Sequence, residues 1–91
     1  MSRSIDKHWS ISIDIDEHES RTRAIARLDA GKPDHLTGVG LARLNPTDRD
    51  VPMIGDELAV ARALAELTHQ LFDVAAADIE SSTHQQVVRL R

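Results

Sequence analysis

The chain has 91 residues, no cysteine, only two aromatic side chains (Trp9 and Phe72) and a formal net charge of −4. That length makes one small domain, able to bury about 60–65% of its unfolded surface. The missing thiol excludes disulfide staples, a cysteine nucleophile and thiolate metal sites. Two aromatics provide no platform for stacking bases.

An acidic domain needs a local basic patch to hold a phosphate backbone, because that affinity comes from counterions released by clustered Lys and Arg. The opening MSRSIDKHWSIS lacks the apolar run of a signal peptide, and no stretch is apolar enough to span a membrane. The expectation is a cytoplasmic protein with no membrane partner.

Residues 1–8 read as a flexible N-terminal tail and 9–84 as a single domain. In Trp9-Ser-Ile-Ser-Ile-Asp-Ile-Asp16 the alternation is unbroken. Trp9, Ile11, Ile13 and Ile15 share one side, which predicts a half-buried strand with its β-branched row turned inward. Residues 17–20 form a polar hairpin loop.

The second strand runs from Arg21 to Asp29. Thr22, Ala24, Ala26 and Leu28 face the core; Arg21, Arg23, Ile25 and Arg27 face out. Pairing Asp16 with Arg21 and Asp14 with Arg23 would neutralise part of that outer face. Gly31 and Pro33 then mark a loop over 30–34. A third strand spans 36–44, with Gly38, Gly40 and Ala42 inward and Val39, Leu41 and Arg43 outward. Two glycines in a strand call for a backbone close against it, so a helix is expected nearly touching strand three.

From Met53 to about Ser81 no proline interrupts a helical periodicity. One apolar stripe holds Val60, Leu64, Leu67, Leu71 and Val74. Another, about 100° away, holds Ile54, Leu58, Ala61, Ala65, Phe72 and Ile79. Together they make a wider apolar arc than one sheet covers. The predicted helix also outlasts an eight-residue strand, roughly 40 Å against 27 Å. Residues 85–91 read as a tail or a short edge strand.

The helix is preceded by NPTDRDVPMIGDELA, residues 45–59. Asn45-Pro46 ends strand three, since proline removes a ladder donor. Asp48 or Asp50 is available as N-cap, Pro52 suits the first turn, and Asp56 and Glu57 sit near the positive end of the helix dipole. Gly55 costs up to about 1 kcal/mol there against alanine, which points to close packing on a neighbouring backbone. The fold class expected is therefore α+β: a three-stranded antiparallel meander packed against one long C-terminal helix.

The segments Asn45-Pro46 and Pro52-x-Ile54-Gly55-Asp56-Glu57-Leu58-Ala59-x-Ala61-Arg62-Ala63-Leu64, with the upstream hairpin RTRAIARL, resemble an actinobacterial family of small domains of unknown function. The resemblance covers about Trp9 to His84. It implies a fold related to the double-stranded RNA-binding domain and brings no activity, catalytic residue or cofactor with it.

True double-stranded RNA binders add an N-terminal helix and a lysine-rich start to the C-terminal helix. This chain has about eight residues before strand one, and acids, not lysines, at the helix start. An anion patch of Arg21, Arg23, Arg27 and Arg43 is the remaining route to nucleic acid. The five histidines show no i, i+4 pair on a helix, so no zinc motif is present, and no Gly-rich phosphate loop or nucleophile elbow occurs. No catalytic, metal or cofactor residue is assigned. The preferred surface is apolar: Ile25, Val39 and Leu41, with Ile25 opposite Leu41 and Arg27 and Arg43 as rim. The expected function is a non-enzymatic interaction module that forms a homodimer.

Overall fold

The computed structural model describes residues 5–33, 35–43 and 52–83. Three strands, β1 (Ser10–His18), β2 (Arg21–Asp29) and β3 (Leu36–Arg43), precede one helix, α1 (Pro52–Thr83). The strands form one antiparallel sheet in the order β1-β2-β3. This is the expected α+β arrangement. Asn45, Pro46, Asp48 and Asp50, and the segment 85–91, lie outside the described residues.

The β1–β2 hairpin is tighter than its polar loop suggests. Glu17 and His18 extend β1, leaving only Glu19 and Ser20 to turn the chain, with Glu19 at φ 58°. The shorter loop moves the register by two residues. Asp16 pairs with Arg23 and Asp14 with Ile25, not with Arg21 and Arg23 as the longer loop implied. Between β2 and β3, Ile25 faces Val39 and Leu41 faces Arg23, so the expected Ile25–Leu41 pair is also displaced by one row.

Small residues decide where the helix lies. Gly38 and Gly40 on β3 meet its backbone directly: a Cβ on Gly38 would overlap the Ala63 carbonyl and come within 2.7 Å of the Leu67 nitrogen. One on Gly40 would overlap the Ala59 carbonyl and the Ala63 nitrogen. As β3 advances from 38 to 40, its helix neighbours retreat from 63 and 67 to 59 and 63. The helix thus runs antiparallel to β3 and nearly aligned with it.

Gly55 fits the same face, but its neighbour is the Thr22 side chain, whose Oγ1 would lie 2.9 Å from an added Cβ, not a backbone. Because Pro52 is the first helical residue, the first turn holds no acid. Asp56 and Glu57 sit beyond it, where the dipole's influence has fallen off.

The core is correspondingly made of small side chains. Ala24, Ala26, Ala42, Ala59 and Ala63 are buried with Leu28 and Leu67, and Leu36, Val60 and Leu64 pack at its margin. Among the described residues no large side chain is fully buried. The helix covers β3 and β2 and barely meets β1. The β1 row expected inside is therefore exposed: Trp9 at 52%, Ile11 at 48%, Ile13 at 38% and Ile15 at 45%. The alternation that defines the strand holds, but among the described residues no element covers the row.

Candidate interaction surfaces

Three surfaces stand out, and two of them belong together. The first is the outer face of the sheet, where the sequence placed its candidate residues. The structure puts Arg21, Arg23, Ile25, Arg27, Val39, Leu41 and Arg43 on that face. Its charges are only partly matched. Arg23 donates from Nη2 to Asp16 Oδ2 at 2.9 Å, an exposed pair. Arg21 stands directly opposite Arg43, with His18 on its other flank. Arg27 lies between Ser12 and Thr37. Of the apolar members, Leu41 is well exposed and Val39 less so, while Ile25 is half-buried. Two aliphatics among arginines make a small patch.

The edge of β3 is closed by the helix. Arg62 Nη1 donates to the Leu41 carbonyl at 2.6 Å, and Gln70 Nε2 to the Thr37 carbonyl at 2.8 Å. Side chains capping an edge strand block further strand addition there. These contacts also fix the helix's roll: the flank bearing Arg62 and Gln70 points to β3's free edge, so the opposite flank looks across β1.

That flank and the β1 row form the second surface. Val60, Leu64, Leu71 and Ala75 overlook a shelf made of Trp9, Ile11, Ile13 and Ile15. At one end a groove of about 400 Å³ runs between Trp9, Leu28, Leu36 and the helical Leu71 and Val74, with Lys32 and Asp78 at its mouth.

The third surface is the helix's outer side. At 100° per residue Phe72 lies roughly opposite Ala63. Ile54, Leu58, Ala61, Ala65, Thr68, Phe72 and Ile79 recur there in steps of three, four or seven. Ile54 is 47% exposed, Leu58 44%, Phe72 42% and Ile79 41%. The helix is apolar on two opposite sides, and its own sheet covers one.

The sequence identified both stripes and the β1 row but placed the row in the core. The signal that separates them is size. The β2 and β3 rows facing the helix are alanine and glycine, which let a helix backbone settle, whereas the β1 row is tryptophan and isoleucine.

Chemical groups are sparse. Among the described residues no three His, Asp or Glu side chains come together to hold a metal. His35 Nδ1 lies 3.2 Å from the Leu28 carbonyl, where a protonated nitrogen donates a hydrogen bond. Asp56 Oδ1 is shielded from solvent without a hydrogen-bond partner. It stands in the second helical turn.

The family model described as Rv2632c-like matches residues 7–88. The uncharacterized protein Rv2632c of Mycobacterium tuberculosis is 53% identical over 90 residues, covering 98% of this chain and 95% of that one. The uncharacterized protein Mb1767 of Mycobacterium bovis is 58% identical over 79 residues, covering 87% of this chain and 83% of its own. The crystal structure of Rv2632c superposes with a TM-score of 0.83 at 52% identity, covering 92% of this chain and 99% of that chain.

Proposed function

The chain belongs to the Rv2632c-like family, and we propose that it is a non-enzymatic interaction module that works as a homo-oligomer. One observation carries this reading: the monomer's buried core is five alanines with Leu28 and Leu67, while most of its large apolar side chains stay exposed. Burying a Val, Leu, Ile or Phe is worth about 1.5–3 kcal/mol. A domain of this size has little stability to spare, and side chains such as Ile11 at 48% and Ile54 at 47% exposure leave about half of that term unused in a single copy. Single exposed aliphatics are ordinary. A continuous apolar shelf beside an apolar helix stripe is what protein contacts are made of.

Light scattering after size exclusion tests the reading. A mass of twice 10.1 kDa at micromolar concentration is expected. A monomer at high micromolar concentration would remove the proposal.

Nucleic acid is the competing reading, favoured by the row His18–Arg21–Arg43, in which two arginines face each other across strands. Against it stand the engagement of Arg23 by Asp16 and the net charge of −4. Titration with structured RNA from about 50 to about 200 mM salt separates the two, because phosphate contacts weaken steeply over that range. No saturable binding is expected. Tight, salt-sensitive binding lost on Arg21→Ala with Arg43→Ala would transfer the function to the arginine face.

A further inference from the structure

We propose that two copies pack face to face, each laying the outer stripe of α1 on the β1 shelf of the other. The inference rests on self-association and adds which surfaces meet. Among the described residues, each copy has a strand row without a helix and a helix stripe without a sheet. Both gaps lie on the same side of the molecule, side by side.

A twofold axis running along the strands, level with the helix and beside it, exchanges them. The partner's helix then comes to rest over β1 with its outer stripe downward. The partner's shelf covers the outer stripe of this copy's helix in the same way. The flanks bearing Val60, Leu64 and Leu71 meet between the two helices. The result is a three-layer assembly of sheet, helix pair and sheet. Its interface is isologous and closed, so it stops at two copies.

The dimensions agree with this placement. The stripe from Ile54 to Phe72 covers about 27 Å of helix, and β1, at nine residues, about 30 Å of strand. Because the helix is nearly aligned with the strands, the two apolar rows run in the same direction.

Area points the same way. The four shelf residues (Trp9, Ile11, Ile13 and Ile15) and the helical Ile54, Leu58, Phe72 and Ile79 are exposed between 38% and 52%. At on the order of 100 Å² each they approach the roughly 800 Å² per partner of a standard interface. The outer face of the sheet offers two exposed aliphatics among arginines. Pairing of two β1 edges, the other way to use this strand, would place two apolar rows side by side and leave both uncovered, along with both helix stripes.

The absence of native cysteine makes crosslinking a clean test. Within one chain residue 65 points away from the sheet that carries residue 13, so a bridge between them needs two copies. The variant Ile13→Cys/Ala65→Cys should give a covalent dimer on oxidation, and Ile13→Cys or Ala65→Cys alone should stay monomeric on a non-reducing gel.

Crosslinking of Ile13→Cys alone would mean edge pairing and overturn the proposal. A second measurement guards against unfavourable bridge geometry: Phe72→Asp should shift the dissociation constant at least 100-fold while Leu41→Asp leaves it within about threefold. Helical circular dichroism should survive in both, since neither side chain belongs to the chain's own core. If Leu41→Asp dissociates the dimer and Phe72→Asp does not, self-association stands and the face assignment fails. A chain monomeric by light scattering ends both.

Discussion

Gly40 of β3 lies directly beneath the Ala59 carbonyl of α1, with no room for a side chain between strand and helix. An added Cβ would meet the helix backbone at two points, the Ala59 carbonyl and the Ala63 nitrogen, and backbone cannot rotate away as a side chain can. Gly40→Ala must therefore lift the helix from the sheet. A cost of about 3 kcal/mol or more is expected, at the upper end of overpacking. Urea unfolding followed by circular dichroism measures it, and a loss under 1 kcal/mol would contradict the packing described. Gly31→Ala is a poor control despite the open space around it, because that residue sits at φ 77°.

The β1–β2 turn has the opposite character. Glu19 takes φ 58° while Ser20 keeps a negative φ in a two-residue connection, a pattern whose first position favours glycine over glutamate. Glu19→Gly should stabilise the fold by about 0.5–1 kcal/mol, read as a higher denaturation midpoint with unchanged slope. A lower midpoint would show that the Glu19 side chain contributes more than its backbone strain costs.

The Asp16–Arg23 pair follows from that same turn, since the tight loop sets its register. Its distance is short, but the side chains are 53% and 65% exposed, so solvent and salt screen it. A double-mutant cycle with Asp16→Asn and Arg23→Gln should give a coupling of about 0.2–1 kcal/mol that falls with added salt. A coupling above 2 kcal/mol would mean that something shields the outer face of the sheet in solution.

Much of this architecture was legible in the sequence, and the limits are physical. Alternation fixed which side of each strand points where, and Gly38 with Gly40 announced the approaching helix. The polar stretch 17–20 reads as a four-residue loop, two residues too long, because Glu17 and His18 extend a strand that neither favours strongly. That shifts the partners of Asp14 and Asp16, whereas the Ile25–Leu41 pair shifts through the separate β2–β3 connection.

The cover over β1 could not be read, because Trp9 and Ile13 look the same whether a helix from this chain or another lies on them. Alternation reports that a face is apolar and leaves open what buries it. The useful contrast lay between strands: alanine and glycine rows where the helix docks, isoleucine where it does not.

That contrast makes a last prediction about concentration. Leu28 is 7% exposed inside the monomer's own core, so Leu28→Ala should cost about 2–5 kcal/mol however dilute the protein is. Ile13 is 38% exposed in one copy and gains full burial only under a second helix. Ile13→Ala should therefore cost little at nanomolar concentration, where monomers prevail, and more as dimers form.

For the unsubstituted chain the melting temperature should rise with concentration by mass action, since a partner that binds only the folded state stabilises it. In Ile13→Ala that rise should flatten, and in Leu28→Ala it should keep its slope from a lower start. Melting curves over a thousandfold dilution series decide the matter. Equal losses for the two variants at every dilution would mean that a single chain already buries Ile13 in solution, and the open shelf would then not be a contact surface.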